Sequence, residues 1–444
     1  MKGNRSDTIF ALASGAGRAA IAVIRVSGPL AEQALATLTD GRAPPARRAS
    51  LRALYDPIAR ERIETALVVL FPGPQSFTGE TVVELQVTGG RAVVGAVMAA
   101  LAAMPELRPA EAGEFAWRAF LNGKLDLSSV EGLADLVEAE TAAQRRQALR
   151  LAGGELRALA DEIRFDLIEA IATVEALIDF SDVEDADALS LVGARGLIER
   201  AAVKVRRALA GSDAARRVRE GFVVVIAGPP NAGKSTLMNA MAKRDVAIVS
   251  PIAGTTRDSI EAFVELDGLP VTFVDTAGLR ETEDVIEKEG VRRTQRHLRE
   301  ADMTLWLQGA DELTASEMGS PMEKGSKAVL VRTKADLGVT KGLSGAIAVS
   351  AKTGAGLDAL RRMIADEARG GQSAEGSVIA HERHRAAFAD ALKALERAMD
   401  SGQSEAELIA EDLRLASRAL QRIAGRVDVD DVLDSIFARL CVGK

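Results

Sequence analysis

Residues 222–236 read FVVVIAGPPNAGKST and form the most informative stretch of the chain. The β-branched run at 223–226 is typical of a strand that is buried on both faces of a sheet. The next segment, GPPNAGKS, matches G-x-x-x-x-G-K-[ST] in full, and the helical run TLMNAMA follows it. Strand, glycine-rich turn and helix in this order predict a phosphate-binding loop (P-loop) and disfavour a chance glycine-rich turn.

Each residue type in this loop has a physical role. Gly228 and Gly233 let backbone amides turn inward around a phosphate without a Cβ in the way. A helix that begins near Lys234 presents its unpaired N–H groups and the positive end of its dipole to the same phosphate. Lys234 would reach the β- and γ-phosphates, and Ser235 would ligate Mg²⁺. The loop therefore predicts a bound nucleoside triphosphate with Mg²⁺.

Length and composition are those of a globular multidomain protein. The 444 residues allow two to three domains, with 47% hydrophobic and 27% charged residues. No uncharged apolar run of about 18 residues is present, so we expect no membrane span. The N-terminus, MKGNRSDTIFALASGAGRAA, is short of apolar length and holds an aspartate, so we expect no signal peptide. The single cysteine, Cys441, suits a reducing cytoplasm. The net charge of −8 disfavours broad nucleic-acid binding but is compatible with a local basic face for RNA.

Apolar periodicity divides the chain into four segments and predicts a multi-domain α/β fold. Residues 1–118 predict an α+β domain, and 119–215 and 373–444 predict two helical parts. Between them, 216–372 alternates strand candidates with helical stretches, which predicts a doubly wound parallel sheet. Strands are expected at 8–12, 20–26, 66–71, 81–87, 222–227, 263–266, 271–275, 304–307, 328–332 and 347–350, a helix at 91–104 and a loop at 42–50. We interpret the nucleotide domain as inserted into one helical domain; two separate helical bundles are the alternative.

Two motifs after the P-loop indicate a nucleotide hydrolase. DTAG (275–278) follows a predicted strand, so Asp275 would meet Mg²⁺ directly or through water, and Gly278 would offer its N–H to the γ-phosphate. GTTRD (254–258) supplies Thr256 as a second Mg²⁺ ligand in a switch loop that closes over the nucleotide. Each motif is weak by itself, but their order and spacing after a complete P-loop are specific.

TKAD (333–336) and SAK (350–352) predict that the base is guanine. Asp336 would accept hydrogen bonds from guanine N1–H and N2–H₂, which adenine does not present in that arrangement. Lys334 would lie along the base, and Ala351 would donate its amide to O6. The usual element in G proteins is N-K-x-D. The threonine in its first position lacks the amide that braces this loop, so we expect guanine selectivity with lower affinity.

The residue that orients the attacking water is not the usual one. Leu279 occupies the position after DTAG where many regulatory GTPases place a glutamine, and leucine cannot hydrogen-bond to water. The loop LRETEDVIEKEG (279–290) contains five acids, any of which could take this role. A carboxylate beside a phosphate needs extra positive charge from an arginine finger or a cation. Asn231 in the P-loop offers a side-chain oxygen that suits a monovalent cation.

Motifs spread over nearly the whole chain resemble the MnmE (TrmE) family of tRNA-modification GTPases. They are IRVSG (24–28), PGPQSFTGE (72–80), GEFAWRAFLNGKLDL (113–127), GPPNAGKSTLMNA (228–240), IVSPIAGTTRD (248–258), DTAGLRET (275–282) and FARLCVGK (437–444). The resemblance implies an α+β folate-binding and dimerisation domain, followed by a Ras-like P-loop GTPase domain inserted into an α-helical domain. The chain departs from the family at Thr88, which replaces a histidine, and at Thr333.

The resemblance also implies ligands. In the family, G domains dimerise across the nucleotide with K⁺ in place of an arginine finger. The implied K⁺ ligands are Asn231, Ser250, Ile252 and Thr255, the Mg²⁺ ligands are Ser235 and Thr256, and the catalytic residues are Lys234, Thr256 and Glu287, of which Glu287 orients the water. Candidate GTP contacts are Asn231, Ala232, Gly233, Lys234, Ser235, Thr236, Ser250, Thr255, Thr256, Asp275, Thr276, Ala277, Gly278, Thr333, Lys334, Asp336, Ser350, Ala351 and Lys352. Arg25, Glu84, Lys124 and Lys444 would bind 5-formyl-tetrahydrofolate or a related folate, and Cys441 would lie near the modification site or act as a small buried residue.

The implied partners are a second copy of the chain, tRNA, and an FAD-binding, NADH-using protein of the MnmG type in a heterotetramer. Together they would install an aminomethyl or carboxymethylaminomethyl group on C5 of the wobble uridine, with a tetrahydrofolate-derived one-carbon unit. The expected location is cytoplasmic, without a membrane. A GTPase switch in ribosome assembly, without modification chemistry, fits the P-loop and switch motifs but not the N-terminal block or the LCVGK end. A folate-dependent aminomethyl transferase that the G domain only regulates is the third candidate.

Overall fold

The structure is a computed structural model that describes residues 7–39, 41, 43–179, 187–244, 261–275, 301–309, 327–338, 346–370, 377–401, 406–425, 436–437 and 443. It divides into two compact units. Unit 1 contains residues 1–134, 151–162 and 417–444, and unit 2 contains residues 135–150 and 163–416. Within the described ranges, every helix is too short or too polar to cross a bilayer.

Unit 1 is built on a six-stranded sheet in the order β3-β4-β5-β2-β1-β6. The strands are β1 (Thr8–Leu12), β2 (Ile21–Ser27), β3 (Ser50–Tyr55), β4 (Arg62–Phe71), β5 (Val82–Thr88) and β6 (Leu107–Pro109), and the first two helices are α1 (Ala31–Leu38) and α2 (Arg91–Ala102). β1 and β6 pair in parallel, and the other neighbours are antiparallel. Alternate strand residues such as Ile24, Val68 and Leu85 are fully buried against both helices, because strand side chains point to opposite faces in turn.

The strands predicted at 8–12, 20–26, 66–71 and 81–87 are confirmed, and the helix predicted at 91–104 ends at Ala102. The sequence does not predict β3, because SLRALY contains no continuous apolar run. In the structure only one of its residues, Leu54, is fully buried. The segment 42–50, predicted as a loop, instead enters this edge strand at Ser50. An edge strand needs fewer buried side chains than a central one, so its sequence signal is weaker.

Described residues near the C-terminus pack within unit 1. Gly113 precedes α3 (Glu114–Leu121) with a left-handed φ of 69°, and a Cβ there would lie 2.3 Å from the Phe437 carbonyl oxygen. The ring of Phe437 packs edge-on against Trp117, with 5.0 Å between ring centroids. A Cβ on Gly443 would lie 2.2 Å from the backbone that follows β1. Gly443 is therefore in close contact with the backbone at the end of the first strand.

Helices on both sides of the P-loop in sequence pack together within unit 2. The remaining helices are α4 (Leu127–Glu138), α5 (Ala142–Ala152), α6 (Glu155–Asp179), α7 (Asp187–Ala210), α8 (Ser212–Glu220), α9 (Lys234–Arg244), α10 (Leu357–Arg369), α11 (Glu382–Asp400) and α12 (Ala406–Gln421). α7 and α11 are in contact, and the Nη2 atom of Arg206 on α7 lies 3.3 Å from the Oε1 atom of Glu396 on α11. In the chain, α7 precedes and α11 follows the segment 222–348, which forms a second sheet. That sheet is therefore inserted into a helical domain. The alternative of two separate bundles is wrong.

The inserted domain contains a second six-stranded sheet, in the order β12-β11-β10-β7-β9-β8. Its strands are β7 (Phe222–Ala227), β8 (Glu261–Leu266), β9 (Leu269–Asp275), β10 (Met303–Gly309), β11 (Lys327–Thr333) and β12 (Ile347–Ala348). All neighbours are parallel except β8 and β9, so the prediction of a doubly wound parallel sheet is wrong at this one edge strand. Asp267 and Gly268 have φ values of 50° and 84° between these strands, which a two-residue hairpin turn requires.

Candidate functional site

The P-loop runs from Gly228 to Gly233 between the end of β7 and the start of α9. Gly228 has a φ of 146°, and a Cβ there would lie 2.4 Å from the carbonyl oxygen of Leu307, so no side chain fits. Asn231 and Gly233 have left-handed φ values of 66° and 88°. Glycine adopts such values freely, whereas asparagine does so less often. The loop thus curves tightly and ends at a helix N-terminus, an arrangement that suits phosphate binding.

The Lys234 side chain folds over this loop. Its Nζ atom donates to the carbonyl oxygens of Gly228 at 2.8 Å and of Pro229 at 2.9 Å. These bonds hold the ammonium group beside the loop backbone. A phosphate oxygen carries charge and is therefore a stronger acceptor for this group than a carbonyl oxygen. The position agrees with a phosphate-binding cation.

Ser235 and Asp275 lie in contact although they are far apart in sequence. β7 and β9 are parallel neighbours, so their carboxyl ends meet at one edge of the sheet. The Ser235 Oγ atom donates to Oδ2 of Asp275 at 2.7 Å, and Asp275 is only 3% exposed. A hydroxyl and a carboxylate are oxygen ligands of the kind that Mg²⁺ prefers. The pair therefore fits a magnesium ion bound by the serine, with the aspartate in direct or water-mediated contact.

The two predicted base-reading loops meet at the carboxyl ends of β11 and β12. The buried Ser350 hydroxyl donates to Oδ1 of Asp336 at 2.7 Å, and the amide of Ala335 donates to the carbonyl of Val349 at 3.1 Å. The Ser350 hydrogen bond lowers the pKa of the exposed Asp336 carboxyl below its ordinary value. An ionised carboxylate on a fixed loop is a two-oxygen acceptor suited to the two donors of guanine.

Thr333 joins the base-reading loop to the P-loop. Its side chain is buried, and its Oγ1 atom donates to the carbonyl oxygen of Ala232 at 2.6 Å, with the Gln308 carbonyl oxygen at 3.4 Å. Threonine lacks the amide that is usual at this position, but its hydroxyl supplies a brace to the P-loop. The lower guanine affinity stays a prediction. The sequence did not reveal this contact, because it joins the end of β11 to a P-loop residue that lies far from it in the chain.

Thr333→Val keeps the side-chain shape and removes the hydroxyl, and we expect it to weaken GDP binding about tenfold. A buried acceptor left unpaired, here the Ala232 carbonyl, costs roughly 1–3 kcal/mol. Thr333→Ser is the matched control, because it keeps the hydroxyl, and it should bind GDP within about twofold of wild type. Fluorescence titration with a labelled GDP measures both. Equal affinity for valine and threonine would show that the contact does not act on the site.

The other described candidates occupy ordinary positions around these loops. Ala232 is buried in the P-loop, and Thr236 is exposed in the first turn of α9. Lys334 has a left-handed φ of 59°, Ala351 is half-buried and Lys352 is exposed. The candidates outside the described residues are Ser250, Ile252, Thr255, Thr256, Thr276, Ala277, Gly278, Glu287, Cys441 and Lys444. Their roles stay predictions.

In unit 1, the two predicted folate contacts Arg25 and Glu84 pair with each other on neighbouring strands β2 and β5. Arg25 donates through Nη2 and Nε to Oε1 of Glu84, at 2.8 Å and 3.1 Å. Its Nη1 atom also donates to the Gly443 carbonyl oxygen at 3.3 Å, which brings the residue before Lys444 to this pair. Lys124 is exposed, and no contact among the described residues links it to the pair.

The Arg25 guanidinium lies between two aromatic rings. Its Cζ atom is 5.5 Å from the ring centroid of Phe77 and 5.7 Å from that of Phe115. Phe115 is fully buried, whereas Phe77 is partly exposed. Both distances are within the range of a cation–π contact. The arginine is therefore held in place by a carboxylate, a carbonyl oxygen and two rings.

Arg118 is the centre of a buried ion network that sequence reasoning missed. Its guanidinium contacts Asp7 at 2.6 Å, Glu114 at 3.1 Å and Glu80 at 3.2 Å, and Arg108 bridges Asp7 and Glu114 at 2.7 Å and 2.6 Å. Burial acts to raise the pKa of Glu114, but hydrogen bonds from Arg108 and its other donors outweigh this and lower the pKa. The available signal was the pairing of Glu114 and Arg118 at helical spacing. The network fixes the loop that carries Phe77 against the helix that carries Phe115.

These sheets, loops and contacts define a Ras-like P-loop nucleotide-binding domain of the G-protein type, inserted into a helical domain that follows an α+β domain. Two family models match the chain, "GTP-binding protein TrmE N-terminus" over residues 8–124 and "MnmE helical domain" over residues 127–441. The chain belongs to the MnmE family of tRNA modification GTPases.

Relatives that match over nearly their full length support this family assignment. The chain is 51% identical to the tRNA modification GTPase MnmE of Methylobacterium sp. (strain 4-46), over 99% of this chain and 100% of that protein. It is 48% identical to the protein of the same name from Rhodospirillum rubrum, over 99% of each chain. Among solved structures, Aquifex aeolicus Era bound to GDP and AlF4⁻ is 30% identical over 32% of this chain and 55% of that chain, with a TM-score of 0.25.

Proposed function

We propose that this chain binds and hydrolyses GTP and that it acts in tRNA modification. The observation that carries the proposal is the convergence of three groups at one edge of the inserted sheet: the Lys234 ammonium, the Ser235–Asp275 pair and the Asp336 carboxylate. These groups match the phosphates, the magnesium ion and the guanine base, respectively. The name shared by the full-length relatives, tRNA modification GTPase, supports the second half of the proposal. We also propose the domain boundaries that the sequence predicts, which are 1–118 for the α+β domain, 119–215 and 373–444 for the two helical parts, and 216–372 for the G domain.

The proposed hydrolysis uses groups of this chain in separate roles. Ser235 and Thr256 would hold a magnesium ion, which would supply positive charge that offsets the charge of the phosphates. Lys234 would hold the β- and γ-phosphates, Thr256 would close the switch loop, and Glu287 would orient the water. K⁺ would supply the positive charge that an arginine finger gives elsewhere, with Asn231, Ser250, Ile252 and Thr255 as ligands. Asn231 is exposed, and its φ of 66° is held by the curve of the loop.

We expect GTP hydrolysis to be at least about tenfold faster in K⁺ than in Na⁺ at equal ionic strength, since charge at the transferred phosphoryl group contributes strongly to catalysis. Asn231→Gly is the matched variant, because glycine tolerates the left-handed φ and lacks the side-chain oxygen. It should lose the K⁺ stimulation and keep its GDP affinity in Na⁺. Steady-state phosphate release in the two salts measures this. Equal wild-type rates in both salts would contradict the cation role.

Unit 1 is proposed to bind 5-formyl-tetrahydrofolate or a related folate through Arg25, Glu84, Lys124 and Lys444. A fixed guanidinium beside two rings offers a planar donor group, and the paired carboxylate offers an acceptor for the ring donors of a pterin. We propose that the one-carbon unit serves the C5 modification of the wobble uridine, and that Cys441 lies near that site. A second copy of the chain and an FAD-binding protein of the MnmG type are the proposed partners, in the cytoplasm.

Arg25→Ala is expected to weaken 5-formyl-tetrahydrofolate binding by roughly 10- to 100-fold, because hydrogen bonds to charged groups are worth about 1.5–3 kcal/mol. Arg18→Ala is the control, since Arg18 is exposed on the loop before β2. Isothermal titration measures both affinities, and thermal melting checks that the variant stays folded. Unchanged folate affinity in a folded Arg25→Ala variant would remove this residue from the site.

A further inference from the structure

The edge of the unit 1 sheet carries a set of arginines that the proposed function does not use. Two precede β3, one lies on β3, one lies in the turn after it and one begins β4. We call this set, Arg47, Arg48, Arg52, Arg60 and Arg62, the arginine edge. Residues 43–65 contain these five arginines and three acids, which leaves a local net charge of +2, whereas the whole chain carries −8. The arginine edge is therefore a locally positive segment of an acidic protein.

No member of the arginine edge forms an ion pair with a described residue. Elsewhere in unit 1, Arg25, Arg108 and Arg118 each contact a carboxylate within 3.2 Å. The bonds at the edge are neutral: Arg47 donates to Gln75 and Arg62 donates to Thr65. The charge of the arginine edge is therefore not offset by contact with an acid in the described part of the chain.

Two of the three nearby acids, Asp56 and Glu64, bind backbone amides instead. Oδ1 of Asp56 accepts from the N–H groups of residues 58 and 59 at 2.8 Å and 2.7 Å, and Oε1 of Glu64 accepts from the Thr88 amide at 2.9 Å. Asp56 thereby fixes the turn that presents Arg60, but it does not neutralise that arginine through contact. These two acids thus have structural partners of their own.

Backbone dihedral angles and hydrogen bonds fix the positions of two of the arginines. Arg47 and Arg60 both have a φ of 58°, a left-handed value that favours glycine over a long side chain. The Arg47 amide donates to the Leu70 carbonyl at 2.8 Å, and the Arg60 amide donates to the Asp56 carbonyl at 2.9 Å. Arginine therefore occupies two positions that a turn alone would leave to glycine, which points to use of the side chains.

We infer that the arginine edge binds the phosphodiester backbone of RNA; this inference rests on the proposed action on tRNA. A guanidinium presents a planar fork of donors that matches a phosphate, and the set contains arginine without lysine. The six residues of β3 extend about 20 Å, comparable to roughly six phosphates along one strand of a duplex at about 3.4 Å each. Leu51 and Ile58, which are 67% and 79% exposed, lie among the arginines and provide apolar contacts for sugars or bases.

Two other roles for this edge are less consistent with the observations. Charged residues on an edge strand prevent pairing with another sheet, but for that purpose acids serve as well as arginines. A second copy of the chain paired edge to edge would oppose like charges, which destabilises strand pairing. RNA is the occupant whose charge complements the edge, and the test below separates all three roles.

The experiment compares two triple variants of the full chain with the same change in net charge. The edge variant is Arg48→Gln/Arg60→Gln/Arg62→Gln. The control variant is Arg216→Gln/Arg385→Gln/Arg414→Gln, which changes exposed arginines that pair with acids in unit 2. The probe is a labelled, unmodified tRNA transcript, with binding followed from 50 to 200 mM salt (roughly the range where phosphate contacts are strongly salt-dependent). Thermal melting and light scattering check folding and oligomeric state.

We expect the edge variant to bind the tRNA about tenfold more weakly at roughly 100 mM salt, with the slope of log K against log salt smaller by about 2–3, since each lost phosphate contact removes about 0.7–0.9 from that slope. The control should keep the wild-type slope. Equal slopes for all three proteins, or no tRNA binding by the wild type, would overturn the inference. A change of oligomeric state confined to the edge variant would overturn it in favour of a contact between copies. GTP hydrolysis by the same preparations, measured without RNA, tests the nucleotide half of the proposed function separately.

Discussion

Replacing Lys234 with alanine is expected to lower GTP hydrolysis by at least about a hundredfold, because removing one preorganised donor at a developing charge costs about 10²–10³ in rate. The ammonium is already held over the P-loop by the carbonyls of Gly228 and Pro229. Phosphate oxygens gain charge in the transition state, and a fixed cation at this position meets that charge without reorganisation. The variant should therefore lose more in turnover than in GDP affinity.

Lys327→Ala is the matched control for this prediction. Lys327 lies on β11 of the same sheet, is exposed and pairs with Glu367 rather than with the P-loop. Its removal deletes the same charge and should leave hydrolysis within about twofold of wild type, because exposed ion pairs contribute little. Single-turnover hydrolysis and GDP titration measure the two quantities. If Lys234→Ala turned over GTP as fast as the control, the phosphate site would have to lie elsewhere.

Asp336→Asn is expected to weaken GDP binding by about 100-fold or more and to improve binding of XDP, the xanthine analogue. Guanine presents two donors, N1–H and N2–H₂, to a carboxylate that accepts both. An asparagine amide offers one acceptor and one donor, so one guanine donor would face a donor. Each lost charge-assisted bond is worth about 1.5–3 kcal/mol. Xanthine replaces the amino group with an oxygen and therefore matches the amide.

The pH dependence of GDP binding follows from the same carboxylate. The hydrogen bond from Ser350 lowers the pKa of Asp336, so the carboxylate acceptor stays ionised to a lower pH than it would without that bond. Ser350→Ala should shift the loss of GDP affinity to higher pH.

Asp366→Asn, at an exposed position on α10, is the control for Asp336→Asn and should change neither affinity nor pH profile. Competitive titration with GDP and XDP checks the selectivity. An Asp336→Asn variant that still prefers GDP would contradict the base-site assignment.

The sequence predicted the parts of this fold that depend on local pattern. The continuous β-branched run of β7, the glycine-rich loop and the start of α9 at Lys234 all follow from residues adjacent in the chain. The direction of β8 was predicted wrongly, although Asp267–Gly268 is a common hairpin signal, because parallel alternation was assumed across the domain. β3 was missed because an edge strand buries few of its side chains.

In the candidate site, local sequence patterns likewise did not predict which residues contact each other. Motif spacing predicted Ser235, Asp275 and Asp336 individually, but not the hydrogen bond from Ser235 to Asp275 or the one from Ser350 to Asp336. The Thr333 brace and the Arg118 network join residues brought together by strand register and helix packing, which no local pattern specifies. The chemistry of these groups therefore follows from local motifs, whereas their hydrogen-bond partners depend on the fold.

We expect that GTP hydrolysis at this P-loop acts in tRNA modification. Mass spectrometry of wobble nucleosides tests this in tRNA from cells that lack this chain, complemented with wild type or with Lys234→Ala. We predict that the C5-modified wobble uridine disappears without the chain, returns with wild type and does not return with the variant. Wobble uridine that stays modified in the absence of the chain would contradict the claim.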